Sequence, residues 1–213
     1  MPKRPNGFTL IELMIVIAII AIIAAIAIPS LLRSKMSANH SNAGAALKSL
    51  VTQESIWRSQ DIDKNGSADY WVKDVRGFYG AKDAAGNYVK LIDAAFANAD
   101  AASSKLYTYA GEAPVTGSAK QGYLYSAIVT SRTGNSTVAA AASTNLDTTV
   151  TNMHTSQFAF TSVPKAYNTD GVLQFIVNQD GVIWQIDAGN NTPVDPYPPA
   201  PNATTPPWTQ FGS

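Results

Sequence analysis

The sequence predicts an α+β protein in which one long N-terminal helix packs on a small head built around an antiparallel sheet. Three observations predict this fold class. The chain has an apolar run that stops near Pro29, an amphipathic stretch after it, and then a series of short β-branched or aromatic runs separated by turn residues. A length of 213 residues is enough for one ordinary domain and one additional element.

The first predicted element is an apolar helix. A short basic segment, residues 1–7, precedes it, and Glu12 is the only charged residue between that segment and Pro29. Leu13–Ile28 is a run of sixteen residues without a polar side chain, which as a helix is about 24 Å long. With the five residues before it, the run reaches the roughly 20 residues that span a bilayer core. We therefore predict a transmembrane helix here.

Two simpler interpretations of this segment remain open. A secretory signal peptide also has a basic start and an apolar core, and Ala25 and Ala27 imitate its cleavage site, but this apolar run is long and has an acid near its start. A plain membrane anchor leaves Glu12 unexplained, because a carboxylate within a bilayer costs about 2.5–3.5 kcal/mol. A cationic partner would offset that cost, and a new α-amino group at Phe8 would be such a partner.

The junction Gly7-Phe8-Thr9-Leu10-Ile11-Glu12 resembles the processing site of type IV pilins and type II secretion pseudopilins. The resemblance extends through the apolar helix, residues 8–29, and more loosely over roughly the first 50 residues. It implies that a prepilin peptidase removes the leader 1–7 by cutting between Gly7 and Phe8 and then methylates the Phe8 amine. It further implies that Glu12 neutralises the Phe8 amine of a neighbouring subunit, and that Pro29 interrupts the helical hydrogen-bond ladder.

The next segment, residues 30–58, is predicted to form the second, amphipathic half of the long N-terminal helix. Apolar residues recur there with the spacing of one buried helical stripe: Met36, Ala43, Leu47, Leu50 and Trp57. Some weak helix formers interrupt the pattern and are expected to loosen it locally: Asn39, Ser41, Asn42 and Gly44. In the pilins that the N-terminus resembles, this half packs on a sheet. His40 and His154 lie among polar residues and are expected to be solvated.

Residues 59–191 predict a β-rich head. Six short runs have the composition of strands: Tyr70–Val75, Tyr88–Ile92, Tyr123–Val129, Gln157–Val163, Val172–Val177 and Val182–Asp187. The clearest hairpin signal is Asn178-Gln179-Asp180-Gly181, between the last two runs. Asp93–Asp100 predicts one or two helical turns. Thr130–Asn152 is rich in Ala, Ser and Thr and predicts an exposed loop, and the proline-rich segment 192–213 predicts an extended or mobile tail.

The segment from Asp61 to Asp69 has the spacing of a cation-binding loop. Oxygen-bearing side chains alternate along it, with a glycine between the third and the fourth: Asp61, Asp63, Asn65, Ser67 and Asp69. This is the beginning of an EF-hand-type calcium loop, in which the glycine permits a sharp turn and the oxygens converge on the ion. Val72 stands where such a loop has its bidentate acid, and Asp74 is the nearest substitute. An Asx-rich turn without metal is the alternative.

Several classes of function are not supported by the composition. Equal numbers of basic and acidic residues, 15 of each, give no electrostatic reason to expect a nucleic-acid partner. The absence of cysteine excludes thiolate nucleophiles, disulfides and cysteine-ligated metal sites. Neither histidine lies in a recognisable catalytic motif, and no glycine-rich phosphate loop is present. We therefore expect a protein that is not an enzyme and has no cofactor other than the candidate calcium ion.

The sequence is therefore interpreted as a subunit of a type IV pilus or a related filament. The expected partners are further copies of the chain or other pilin subunits, the prepilin peptidase, and the bacterial inner membrane before assembly. The head would face the periplasm, and the assembled subunit would lie in an extracellular pilus or a periplasmic pseudopilus. A type II secretion pseudopilin is the alternative, and a membrane-anchored head that binds calcium or a glycan without polymerising is a further one.

Overall fold

The computed structural model describes residues 7–72, 74–83, 85–101, 117–128, 153–154, 157–194, 198, 201 and 207–212. The first element is α1, Leu10–Gln60, and two short helices follow it, α2 (Gly77–Gly80) and α3 (Ala94–Asn98). α1 is one continuous helix of 51 residues that runs through Pro29. Proline has no amide hydrogen, so the ladder loses one bond there without the helix ending. The predicted Asp93–Asp100 helix is confirmed as α3, and Asp93 caps it by accepting the Phe96 N–H at 2.8 Å.

The head contains a five-stranded antiparallel sheet. Its strands, in spatial order, are β2 (Tyr123–Ala127), β4 (Ala159–Pro164), β5 (Leu173–Asn178), β6 (Ile183–Asp187) and β7 (Thr209–Gln210). A separate two-stranded ladder pairs β1 (Tyr70–Trp71) with β3 (Met153–His154). The α+β prediction and the hairpin at Asn178–Gly181 are confirmed, since β5 and β6 pair across that turn and Gly181 has a φ of +72°. Such a φ favours glycine.

The buried stripe of α1 packs against the inner face of the sheet. Alternate strand residues point to that face and form the main core with the helix: Tyr123, Tyr125, Phe160, Phe175, Val177 and Ile183. The helix contributes four apolar residues of the predicted stripe, Ala43, Leu47, Leu50 and Trp57, which are all buried. Met36, the first residue of that stripe, is only half-buried. The head therefore covers α1 from about Asn39 onward.

The outer face of the sheet is covered by the C-terminal segment. Ile128, Ile176 and Trp208 form a second buried cluster there, against which Trp184 and Val194 pack. Trp208 N donates to the Pro201 carbonyl at 3.0 Å. The tail that was predicted to be extended or mobile over 192–213 is extended at β7, which is hydrogen-bonded to β6, and the buried Trp208 holds it on the head.

Residues that disfavour a helix have tertiary roles in α1. Asn39 Nδ2 donates to the Asp170 carbonyl at 2.7 Å, and a methyl group at Gly44 would occupy the space of the Phe211 ring. His40 is half-buried, and its Nε2 accepts the Val172 N–H at 3.2 Å. The expectation that His40 is solvated is therefore wrong, and burial lowers its pKa. Tertiary contacts compensate for the weak local propensity, which is why the helix is not interrupted.

One predicted strand is wrong, and another is too long. Tyr88–Ile92 is not a strand: Tyr88 makes a single bridge with Lys82, and Lys90 has a φ of +50°. The amide groups of this segment bond the α2 region instead, as in Leu91 N to the Phe78 carbonyl at 2.6 Å. Tyr70–Val75 is reduced to Tyr70–Trp71, because the chain then turns into α2.

The remaining four strand predictions are confirmed with shifts of one or two residues at their ends. β2 ends at Ala127, β4 starts at Ala159, β5 starts at Leu173 and β6 starts at Ile183. His154, for which no strand was predicted, lies in the short strand β3. The predicted loop Thr130–Asn152 and residue 129 lie outside the described residues.

The contact between Gly44 and Phe211 predicts non-additive mutations. Gly44→Ala must displace the Phe211 ring and is expected to lower stability by about 1–3 kcal/mol. In a Phe211→Ala background the space is empty, so Gly44→Ala should be neutral or stabilising, because alanine is favoured over glycine in a helix by about 1 kcal/mol. Thermal unfolding of the full chain in detergent micelles measures both steps. Equal effects of Gly44→Ala in the two backgrounds would contradict the packing.

Candidate functional site

The first turn of α1 brings together three of the residues predicted to act in processing and assembly. Gly7 and Phe8 lie directly before the helix, and Phe8 is 87% exposed. Thr9 is the N-cap, and Glu12 is the third residue of the helix. Glu12 Oε2 accepts from Thr9 N at 2.9 Å and from Thr9 Oγ1 at 2.7 Å, while Glu12 N donates to Thr9 Oγ1 at 3.3 Å. This is a capping box, and it holds the carboxylate against the Thr9 amide, one residue after Phe8.

The helix surface that follows is apolar on all sides. Sixteen large hydrophobic side chains are exposed in the described chain, and all of them lie between Phe8 and Leu32. By length and composition, α1 is apolar enough to cross a membrane. Pro29 lies within this exposed part, next to a shallow notch lined by Ala27, Ile28 and Leu31. A surface of this kind requires lipid or other apolar helices to cover it.

The second candidate site is the loop between α1 and β1. Asp61 ends α1 in the left-handed conformation with a φ of +42°, and its carboxylate accepts Asn65 N at 3.1 Å and Gly66 N at 3.2 Å. Asn65 Nδ2 donates to Asp63 Oδ2 at 2.7 Å and to Asp69 Oδ2 at 2.9 Å. The structure therefore brings the predicted ligands Asp61, Asp63 and Asp69 around Asn65: Asp61 contacts its backbone nitrogen, and the other two contact its side chain.

Ser67 and Asp74 occupy different positions from those expected of ligands. Ser67 contributes its backbone amide, which donates to Asn65 Oδ1 at 2.7 Å. Asp74 is buried at the start of α2, where its Oδ1 accepts the Gly77 N–H at 2.6 Å and its carbonyl accepts the Trp71 indole N–H at 2.9 Å. Within the described ranges, no three His, Asp or Glu side chains converge closely enough to hold a metal ion as they stand.

Glu54 is a buried acid that the sequence analysis missed. It lies on the buried stripe of α1, four residues after Leu50 and three before Trp57, and its Oε2 accepts the Trp71 N–H at 3.0 Å. It is fully buried, and its Oε1 has no hydrogen-bond partner among the described residues. The helical period of the stripe was the signal that could have identified it, since a charged residue in such a stripe is rare.

The carboxyl groups of this region hold protons more tightly than usual. Burial, with the charge of Asp69, raises the pKa of Asp63 to about 6. Burial also raises the pKa of Asp69. Complete burial raises the pKa of Glu54 well above its usual range, although the hydrogen bond from Trp71 N opposes this shift. Desolvation disfavours each charged form, and the neighbouring charges add to it.

The raised pKa values predict how stability depends on pH. Between the ordinary value of 3.8 and about 6, Asp63 binds more protons in the folded than in the unfolded chain, so the free energy of unfolding falls as the pH rises through this window. Asp63→Asn should flatten the profile there and stabilise the chain at pH 7. Thermal unfolding in EDTA across this range measures both effects.

Asp83 provides the matched control with the opposite sign. It is half-buried, and the hydrogen bond from the backbone N–H of Asn87 lowers its pKa. Its contribution to stability is therefore present at neutral pH and lost as the pH falls, so Asp83→Asn should destabilise the chain at pH 7 and change little at acid pH. Equal profiles for Asp63→Asn and the wild type would contradict the environment assigned to Asp63.

Comparison with known families separates the two parts of the chain. Residues 2–28 match the prokaryotic N-terminal methylation motif. Residues 83–196, more than half of the chain, match a family described as protein of unknown function (DUF2950). No curated protein and no solved structure matches the chain.

The methylation motif is the signal of structural, pilin-type proteins, which are typically not enzymes. It implies in general processing by a prepilin peptidase and assembly with other pilin subunits, and with α1 it is consistent with a membrane-anchored precursor. The chain thus belongs to the family described as protein of unknown function (DUF2950), and at its N-terminus it carries the prepilin-type signal of type IV pilins and pseudopilins.

Proposed function

We propose that this protein is a structural subunit of a type IV pilus or a related filament. In this proposal a prepilin peptidase cuts between Gly7 and Phe8 and methylates the Phe8 amine, and the subunit then leaves the bacterial inner membrane to join a filament through α1. The observation that carries the proposal is the division of α1. Its apolar part up to Leu32 is exposed, whereas the part from Asn39 onward is embedded in the head.

The exposed part of α1 needs an apolar environment both before and after assembly. Apolar surface contributes about 25 cal/mol per Å² when it leaves water, but in lipid this surface is already covered. Assembly therefore replaces contacts with lipid by contacts with other α1 helices, and polar groups decide where each helix stops. Glu12 is the only acid in the exposed apolar part of α1, so we assign it the role of setting the register against the Phe8 amine of a neighbour.

Glu12 has two roles that variants can separate. In the single chain it completes a capping box with Thr9, and in the filament it would pair with an amine. Glutamine at the same helical position preserves a capping box but has no charge. We therefore expect both Glu12→Ala and Glu12→Gln to reduce filament yield strongly, and Thr9→Ala, which removes the cap and keeps the charge, to reduce it little. Filaments sheared from cells and quantified by immunoblot give the measurement.

The N-terminal peptide of each variant serves as the control. Mass spectrometry should find a chain that starts with N-methylated Phe8 in wild type and in all three variants, which separates assembly from processing. Wild-type filament yield in Glu12→Gln would remove the pairing role. A chain that retains residues 1–7 would favour a plain membrane anchor, and a start near Pro29 would mean a secreted head without the apolar part of α1.

Pilus and pseudopilus differ in where the assembly is found. The segment from Ile26 to Leu50 is more similar to bacterial pilins than to the usual major pseudopilin, whereas the absence of a disulfide loop and the Asp61–Asp69 loop favour a pseudopilin. We propose the pilus as the working assignment. Long filaments on the cell surface would support it, and short periplasmic assemblies together with a loss of secretion in a deletion strain would support the pseudopilin.

We also propose that the Asp61–Asp69 loop binds calcium. Asn65 Nδ2, a partly positive group, lies between the Asp63 and Asp69 carboxylates, in the position that a cation would take. Rotation of the Asn65 side chain would turn its Oδ1 inward and complete a set of oxygens from Asp61, Asp63, Asn65 and Asp69. Calcium tolerates such irregular oxygen sets better than magnesium does.

A thermal shift tests the calcium proposal. At a concentration of calcium about 100 times its dissociation constant, binding adds about 2.7 kcal/mol, or roughly 5–10 °C in a chain of this size. Magnesium should have a smaller effect, and Asp63→Asn should abolish the shift. Asp83→Asn, a change in a comparable turn outside the loop, should preserve it. A calcium shift that survives Asp63→Asn would place the ion elsewhere.

A further inference from the structure

We propose that the Asn65–Gly66 peptide is a self-modification site, at which the head converts its own Asn65 amide into a carboxylate. The reaction needs no enzyme and only water as a co-reactant. The Gly66 nitrogen attacks Asn65 Cγ, ammonia leaves, and water opens the resulting cyclic imide to aspartate or isoaspartate. The inference rests on the groups that surround these two residues, and it is independent of the filament assignment.

The nucleophile is the backbone nitrogen of Gly66. Its N–H donates to Asp61 Oδ2 at 3.2 Å, so a proton acceptor is already in contact with the atom that must lose its proton. Gly66 is exposed, and it has no side chain that would shield its nitrogen. Its φ of +79° is a conformation that glycine adopts without strain.

The electrophile is the side-chain carbonyl of Asn65. Its Oδ1 accepts the Ser67 N–H at 2.7 Å, and this donor polarises the carbonyl and stabilises the negative charge that the oxygen gains during attack. Asn65 Nδ2 is held by Asp63 and Asp69, and Asn65 N is held by Asp61 Oδ1 at 3.1 Å. These bonds hold the Asn65 side chain with its carbonyl turned toward the Ser67 amide.

The reaction is balanced in atoms and in protons. As the bond from Gly66 N to Asn65 Cγ forms, the proton of Gly66 N passes to Asp61 Oδ2, and it returns through water to the departing nitrogen. The bond from Cγ to Nδ2 breaks and releases ammonia. One water molecule then adds to either carbonyl of the imide. No oxidant or reductant is involved.

The product changes the charge of the loop. A carboxylate at position 65 adds one negative charge beside Asp61, Asp63 and Asp69, and it removes the Nδ2 donor that joins Asp63 to Asp69. The loop connects α1 to β1, so the modification acts on the junction between the helix and the head. The fraction of subunits that carry this extra negative charge therefore increases with the age of the protein.

The test compares the rate of modification in the native and the unfolded chain. Full-length protein in detergent micelles with EDTA is incubated at neutral pH, and peptide mapping by mass spectrometry follows the gain of about 1 Da at Asn65. The same protein unfolded in urea gives the rate without the surrounding groups. We expect the native rate to exceed the unfolded rate by at least about threefold, because the proton acceptor at Gly66 N and the donor at Asn65 Oδ1 both accelerate ring closure.

Two variants and one internal asparagine complete the design. Asp61→Asn should reduce the native rate to that of the unfolded chain while near-ultraviolet circular dichroism stays native, and Asp83→Asn should leave it unchanged. Asn87 lies in a turn that Asp83 holds in a similar way but precedes Tyr88, and it should stay unmodified. A native rate equal to or below the unfolded rate would overturn the proposal, as would an unchanged rate in Asp61→Asn.

Discussion

The packing of one stripe of α1 against the inner face of the sheet is the interaction on which the rest of the structure depends. Ala43, Leu47 and Leu50 are fully or almost fully buried, and the aromatic side chains of the sheet close around them. Because this stripe begins only near Asn39, the large apolar side chains of the helix up to Leu32 are left exposed. The C-terminal part of α1 therefore belongs to the core of the head, whereas its N-terminal part is an exposed apolar helix.

The C-terminal end of α1 organises the loop that follows through polar contacts. Glu54 accepts the Trp71 N–H, and Arg58 donates to the Ala68 carbonyl at 3.1 Å and to the Tyr70 hydroxyl at 2.7 Å. The Trp71 ring packs against Trp57 with their centroids 5.1 Å apart. These contacts hold the Asp61–Asp69 loop at both of its ends. The geometry of the loop therefore depends on the helix as much as on its own turn residues.

The parts of the fold that the sequence predicts are those with a strong period or a strong local signal. The apolar run, the stripe of α1 and the Asn178–Gly181 hairpin each depend on neighbours within a few residues, and all three are confirmed. Tyr88–Ile92 has the composition of a strand, but its amide groups donate hydrogen bonds to the α2 region instead of to a neighbouring strand. Composition does not show which of these two partners the amide groups will bond. Burial of Asp63 and Glu54 is likewise a property of the assembled head.

The C-terminal segment illustrates the same limit. Its many prolines indicate an extended local backbone, but they do not show which surface of the head the segment covers. That position is determined by two aromatic residues, Trp208 and Phe211, which pack into the two apolar clusters of the head. Sequence patterns on their own do not reveal that Phe211 lies beneath Gly44, because the two residues are far apart in the chain.

The position of Phe211 has a consequence for the order in which the head forms. Its ring lies between α1 and Phe175, and β7 supplies the last strand of the sheet, so the contact joins residues separated by nearly the whole head. Contacts of such long sequence separation close late, because the loop entropy must be lost before they contribute. The strands β2, β4, β5 and β6 can thus pair before the C-terminal segment arrives, and β7 and Phe211 then complete both the sheet and its contact with α1.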